Sequence, residues 1–141
     1  MTDLLSRPLV PVANEDDAVA TYESLRRYLV DGDVTPLVVN VIEKAGGAPD
    51  KAGVEQRQEV AEAAFEAFRD RAADDELPIE TEILYGTDVA ETIIDYAADR
   101  DASAIVFHSR GGGALLEVLS GSVRTKLVTE SDRPVVVLPN T

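Results

Sequence analysis

The sequence predicts an α/β protein: a five-stranded, mostly parallel sheet with helices on both faces. Two observations carry this prediction. Short β-branched runs alternate with longer segments of helical periodicity in the order β-α-β-α-β-α-β-α-β. The first, second, fourth and fifth runs are apolar throughout, as strands covered on both sides are. A length of 141 residues accommodates one hydrophobic core and not two ordinary ones. Residues 1–141 are therefore read as a single domain, with no repeat or linker.

Each element has a local reason. Leu9-Val10-Pro11-Val12 reads as the first strand. Asn14 is placed to cap a helix over residues 15–30, with Ala18, Val19, Tyr22, Leu25 and Leu29 on one face. Pro36-Leu37-Val38-Val39-Asn40-Val41-Ile42 is the second strand, and the glycine- and proline-containing residues 45–53 form a loop. A second helix over residues 54–73 presents Val60, Ala61, Ala64, Phe65, Phe68 and Ala72. The run 79–84 alternates, which suits a third strand nearer an edge. Thr87 is expected to cap the third helix, whose stripe is Ala90, Ile93, Ile94 and Ala97. Ala104-Ile105-Val106-Phe107 is the fourth strand; a glycine-rich loop then leads to a helix from about Ser122. Pro134-Val135-Val136-Val137-Leu138-Pro139 closes the chain as a fifth strand.

Composition excludes several functions. There is no cysteine, so disulfides, thiol catalysis and zinc–thiolate sites are ruled out. No apolar run reaches the length of a membrane span, and the first residues do not read as a secretory signal, so the expected address is the cytoplasm. The net charge of −14 repels phosphate backbones and argues against general nucleic-acid binding. The acids are spread over every predicted helix, which reads as a halophilic adaptation of the whole surface; the other reading is an acidic face for a basic protein partner. The tight run Glu15-Asp16-Asp17 falls where a helix begins and is favoured there by the helix dipole.

Open parallel sheets bind ligands beyond the carboxyl ends of their strands, where strand order reverses. Two segments are candidates for that place: the turn after the first strand and the loop after the fourth. The second reads His108-Ser109-Arg110-Gly111-Gly112-Gly113 and ends at Gly121-Ser122-Val123. Glycines let the backbone approach an anion, a helix N-terminus adds its N–H groups and dipole, and Ser122 adds a hydroxyl. A plain strand-to-helix connection, with Gly121 and Ser122 merely starting the helix, is the other reading of the same residues.

Gly111, Gly121 and Ser122, together with Leu9-Val10-Pro11-Val12, the run from Ala104 to Phe107 and Arg133-Pro134-Val135-Val136-Val137, resemble the universal stress protein family over nearly the whole chain. That family carries a Gly-x2-Gly-x9-Gly-Ser/Thr loop after its fourth strand, and here Gly111, Gly121 and Ser122 match its later positions. The resemblance implies a Rossmann-like fold of the adenine nucleotide alpha hydrolase kind and ATP, with Mg²⁺, as the ligand. It implies a site of Pro11, Val12, Ala13, Val41, His108, Ser109, Arg110, Gly111, Gly112, Gly121, Ser122 and Val123, with the phosphates on backbone N–H groups. Three positions depart from the pattern. His108 stands at the first glycine, Ala13 where members place an aspartate, and Ser103 where an acid often precedes the fourth strand. His108 is read as a loop residue narrowing the pocket, and the adenosine half of the site as eroded. On that reading His108→Gly and Ala13→Asp tighten ATP binding, and Gly121→Val abolishes it by strain and by filling the anion's space.

Two functions stay open: a nucleotide-binding regulatory protein of the stress response, and a dimer of the same fold that binds no nucleotide and acts through protein–protein contacts. A hydrolase lacks a committed nucleophile or metal cluster. The last strand, short, apolar and bounded by prolines, is expected at the sheet edge, where it would pair with a second copy to form a homodimer. Val136→Lys is the substitution expected to break that pair.

Overall fold

The computed structural model describes residues 4–29, 34–43, 51–108 and 121–139, with only the backbone of residues 51 and 52. In chain order the elements are β1 (Pro8–Pro11), α1 (Glu15–Leu25) followed by a 3₁₀ turn at Arg26–Tyr28, β2 (Leu37–Glu43) and α2 (Lys51–Asp74). Then come β3 (Glu80–Gly86), α3 (Val89–Asp99), β4 (Ala104–His108), α4 (Gly121–Glu130) and β5 (Val135–Leu138). All five strands are parallel, in the order β3-β2-β1-β4-β5. The chain lays down β1, β2 and β3 toward one edge, then returns past β1 to add β4 and β5 toward the other. Right-handed crossovers therefore place α1 and α2 on one face and α3 and α4 on the opposite face.

The pleat sorts the strand side chains between these two layers. Leu9, Leu37, Val39, Val41, Ile105 and Phe107 pack with Val89, Ala90, Ile93, Ala97 and Leu127 on the α3–α4 side. Val10, Val12, Val38, Ala104, Val106 and Leu138 pack with Ala18, Tyr22, Leu25, Phe65 and Phe68 on the α1–α2 side. Tyr22 meets Phe68 edge to face, and its hydroxyl donates to Asp75 Oδ2 at 2.5 Å. Burial pushes the Tyr22 phenol well above its ordinary value, and the Asp75 carboxylate pushes it further.

Several expectations shift. Helix α1 stops at Leu25, short of the predicted residue 30, while α2 already includes residues 51–53, where the sequence predicts a loop. Val60 is exposed, not part of the α2 core face. The cap of α3 is Asp88 and not Thr87: its carboxylate accepts from the Glu91 N–H at 3.1 Å. The Asp88 side chain also meets Lys126 of α4, which holds that carboxyl below the usual carboxylate range and ties the two helices together. β3 and β5 are the edges; β5 is only half covered, with Val137 49% exposed.

Candidate functional site at the strand switch point

β1 is central, and its two neighbours are reached by connections running in opposite directions. The crevice of an open parallel sheet opens between such strands at their carboxyl ends. Here the local sequence widens it. The β1–β2 ladder runs as far as Pro11 against Val39, and Val12 N–H continues it to Val39 O at 2.9 Å. The β1–β4 ladder pairs only Pro8 with Ala104 and Leu9 with Ile105. Alternate residues of a parallel strand face the same neighbour, so Val12 faces β2 and Pro11 faces β4, where it has no N–H to donate. β4 continues with β5 instead, pairing His108 with Leu138.

The end of β1 is held from both sides. Asn40 of β2, 4% exposed, donates through Nδ2 to Val12 O at 2.9 Å and to Ala13 O at 3.3 Å. From the other side, Asp17 in the first turn of α1 accepts the Ala13 N–H on Oδ2 at 2.7 Å. Oδ1 of the same carboxylate lies 3.7 Å from His108 Nδ1. Asn14 Oδ1 accepts the Asp17 N–H at 2.9 Å, which fixes the turn that aims the acid inward. Asp17 is fully buried and His108 is 4% exposed.

These positions revise three sequence expectations. His108 is the last residue of β4, buried and facing Asp17, and not a loop residue narrowing a pocket. Replacing it with glycine would remove the imidazole opposite a buried carboxylate, so the expected gain from His108→Gly has no basis in the structure. Ala13 lacks the aspartate of the family pattern, but Asp17 brings a carboxylate to its backbone N–H; a second acid at position 13 would stand beside the first. Ser103 lies at the opposite end of β4, roughly 16 Å from His108 at strand rise. There its hydroxyl donates to Leu4 O at 2.8 Å and accepts from the Arg7 N–H at 3.0 Å. Its identity concerns the N-terminal segment and not the crevice.

Of the other candidates, Pro11, Val12 and Ala13 line the β1 end. Val41 is buried in the α3–α4 layer, on the opposite face of the sheet from His108. Ser109, Arg110, Gly111 and Gly112 lie outside the described residues. Gly121 and Ser122 begin α4 and are exposed, with Val123 partly covered. Gly121 does not have the positive φ that the strain argument requires, and among the described residues a Cβ there meets no other atom within 4 Å, so that argument for Gly121→Val falls.

Both α1 and α4 follow strands and return along the sheet, so their N-termini share its carboxyl edge. Their charges differ. The first turn of α1 carries Glu15, Asp16 and Asp17, whereas that of α4 carries no acid. Of these two positive dipole ends, α4 is the one with no acid in its first turn to repel an anion. Among the described residues no group of acids and histidine is arranged to hold a metal ion, and no helix is long and apolar enough to cross a membrane. Two concavities lie elsewhere. One of about 580 Å³ is walled by Glu55, Glu59 and Glu62, and one of about 290 Å³ lies beside Tyr22 and Asp75. The carboxylates of the first repel a phosphate, so volume does not select the site here.

Sequence reasoning missed Asp17 and Asn40. The spacing Asn14-x-x-Asp17 was the available signal: it has the form of a capping box whose acid reaches back beyond the cap. Asn40, an amide inside an otherwise apolar strand, was the other.

Comparison with known proteins agrees with this fold. A universal stress protein of Lactobacillus plantarum superposes with a TM-score of 0.71 at 25% identity, covering 97% of this chain and 99% of its own. The universal stress protein of Archaeoglobus fulgidus in complex with dAMP gives 0.68 at 20% identity, covering 96% and 99%. A family member from Arabidopsis thaliana with AMP bound gives 0.63 at 17% identity, covering 96% and 92%. No curated protein matches the sequence. The model of the Universal stress protein family matches residues 7–139, and the chain belongs to that family.

Proposed function

We propose that this protein is a small regulatory protein of the cytoplasmic stress response that binds an adenine nucleotide at the carboxyl edge of its sheet. The observation that carries the reading is the parted pair of strand ends, β1 and β4, beside an acid-free helix N-terminus. The base and ribose lie toward Pro11, Val12, Ala13 and the β2 end near Val41. The phosphates lie at Gly121, Ser122 and Val123, and the sequence adds Ser109, Arg110, Gly111 and Gly112 to the same connection. A first turn exposed among the described residues, with none of them crowding Gly121, and the adjacent Arg124 suit an anion of this kind. The dAMP and AMP found in two relatives favour the nucleotide reading over a purely protein-binding one. ATP, with Mg²⁺ carried on its phosphates, is the form the loop motif suggests.

Assembly is a separate part of the proposal. The outer side of β5 has no strand against it among the described residues, and Val137 stands exposed on it. A second copy pairing there about a two-fold axis would satisfy the edge and close the assembly as a homodimer.

Isothermal titration with AMP, ADP and ATP, with and without Mg²⁺, in molar salt tests the ligand. Saturable binding near one nucleotide per chain is expected, together with a rise in Tm as ligand stabilises the folded state. No heat and no Tm shift with any of the three nucleotides would overturn the reading.

A further inference from the structure

Where the β1–β4 ladder stops, a side chain takes its place. Beyond Leu9 against Ile105 the next β1 residue facing β4 is Pro11, which has no N–H, and the one after it is Ala13. The Ala13 N–H goes to Asp17 Oδ2 at 2.7 Å, and Asp17 Oδ1 faces His108 Nδ1 at 3.7 Å. One carboxylate thus spans from the end of β1 to the end of β4. It does so fully buried, where an ionised acid is costly unless it is bonded and faces an opposite charge.

We infer that Asp17 and His108 are positioning residues for the nucleotide: the carboxylate replaces the missing rung across the switch point, and the protonation of His108 sets nucleotide affinity. The inference rests on the nucleotide reading above and deepens it. Of the two groups, the imidazole is the one whose charge changes near neutral pH. Protonated, it forms an ion pair with Asp17 and holds the two strand ends at a fixed spacing; neutral, it leaves a weaker contact. Among the described residues, Asn40 from β2 and Leu138 from β5, which sit beside these strand ends, carry no charge, and Glu15 and Asp16 of α1 are exposed to solvent. A phosphate bound at this edge adds to the attraction for the imidazolium. Affinity therefore falls as the pH rises through the titration of His108, and by reciprocity the nucleotide raises the midpoint of that titration.

His108 is the only histidine in the sequence, so a ¹³C-labelled sample gives a single imidazole Cε1–H resonance, which the ¹³C label separates from the ring protons of unlabelled AMP. The experiment follows that resonance from about pH 5.5 to about pH 8.5 with and without AMP, beside calorimetric AMP affinities over the same range. It uses the full chain as wild type, Asp17→Asn and His108→Gln in molar salt. Asparagine keeps an acceptor for the Ala13 N–H while removing the charge. The expected wild-type result is an affinity about tenfold weaker at the top of the range than at the bottom, with AMP raising the His108 midpoint. In Asp17→Asn the His108 midpoint moves down, and the pH dependence of affinity flattens in both variants. A wild-type affinity that is flat with pH, or a His108 midpoint indifferent to AMP, overturns the inference; this holds even if a variant fails to fold. Failure of the wild type to bind AMP at every pH is the distinct result that overturns the nucleotide reading itself.

Discussion

Asn40→Leu separates the support of the site from its chemistry. Leucine keeps the branched outline of asparagine and suits a buried strand, but its methyl groups are bulkier, so any overpacking adds to the loss. What is lost is Nδ2, which donates at 2.9 Å to Val12 O and at 3.3 Å to Ala13 O. Each such bond contributes about 1 kcal/mol net, and a buried carbonyl left without a donor costs about 1–3 kcal/mol. Val12 and Ala13 are both buried, so water does not readily replace the amide. The expected loss is about 2–4 kcal/mol, a large share of the 5–15 kcal/mol of a typical small domain. With a urea slope of about 1–3 kcal/mol per molar, the unfolding midpoint should fall by about 1–2 M at unchanged slope. Asn40→Asp should cost at least as much, because a carboxylate would face two carbonyl oxygens and stand near Asp17. Urea unfolding followed by circular dichroism measures both variants. A loss below about 0.5 kcal/mol in Asn40→Leu, the size of an ordinary surface substitution, would refute the claim that Asn40 holds the β1 end.

Gly121→Asp places an acid in the first turn of α4, where it favours the helix dipole but repels a phosphate; AMP affinity should fall at least about tenfold with Tm unchanged or raised. Unaltered affinity by calorimetry would remove the phosphates from that turn. Val137→Lys should convert the proposed dimer to a monomer in molar salt, read as mass by light scattering, without loss of stability. Val136 is a poorer probe than the sequence suggested, because it packs against the α1–α2 core. A wild type that is already monomeric would end the dimer proposal. Tyr22 has its phenol pushed up in the folded state, so the stability it contributes is complete below the unfolded value near pH 10 and is lost as pH rises above it. Tyr22→Phe should cost about 1 kcal/mol at neutral pH through the lost bond to Asp75, and should flatten the decline above about pH 10 in alkaline urea titrations.

The sequence by itself determined the alternation of strands and helices, the parallel sheet and the family. Each of these is written in short-range patterns: apolar β-branched runs, the helical stripe of Ala61, Ala64, Phe65 and Phe68, and glycines at fixed spacing. It also located the carboxyl edge, since the glycine-rich connection follows the fourth strand. It could not place Asp17 opposite His108. Read locally, Asp17 is one of three acids favoured by a helix dipole and His108 is the first residue of a loop. Their meeting depends on β4 lying beside β1, on the pleat turning residues 104, 106 and 108 toward α1, and on Pro11 ending the ladder between the two strands. The choice of Asp88 over Thr87 as a cap, the exposure of Val60 and the half-covered state of Val136 were likewise decided by what packs opposite each residue. Local pattern fixes which face of an element is apolar, but strand order and register fix what that face meets, and a buried polar contact exists only where two distant segments are brought to the same place.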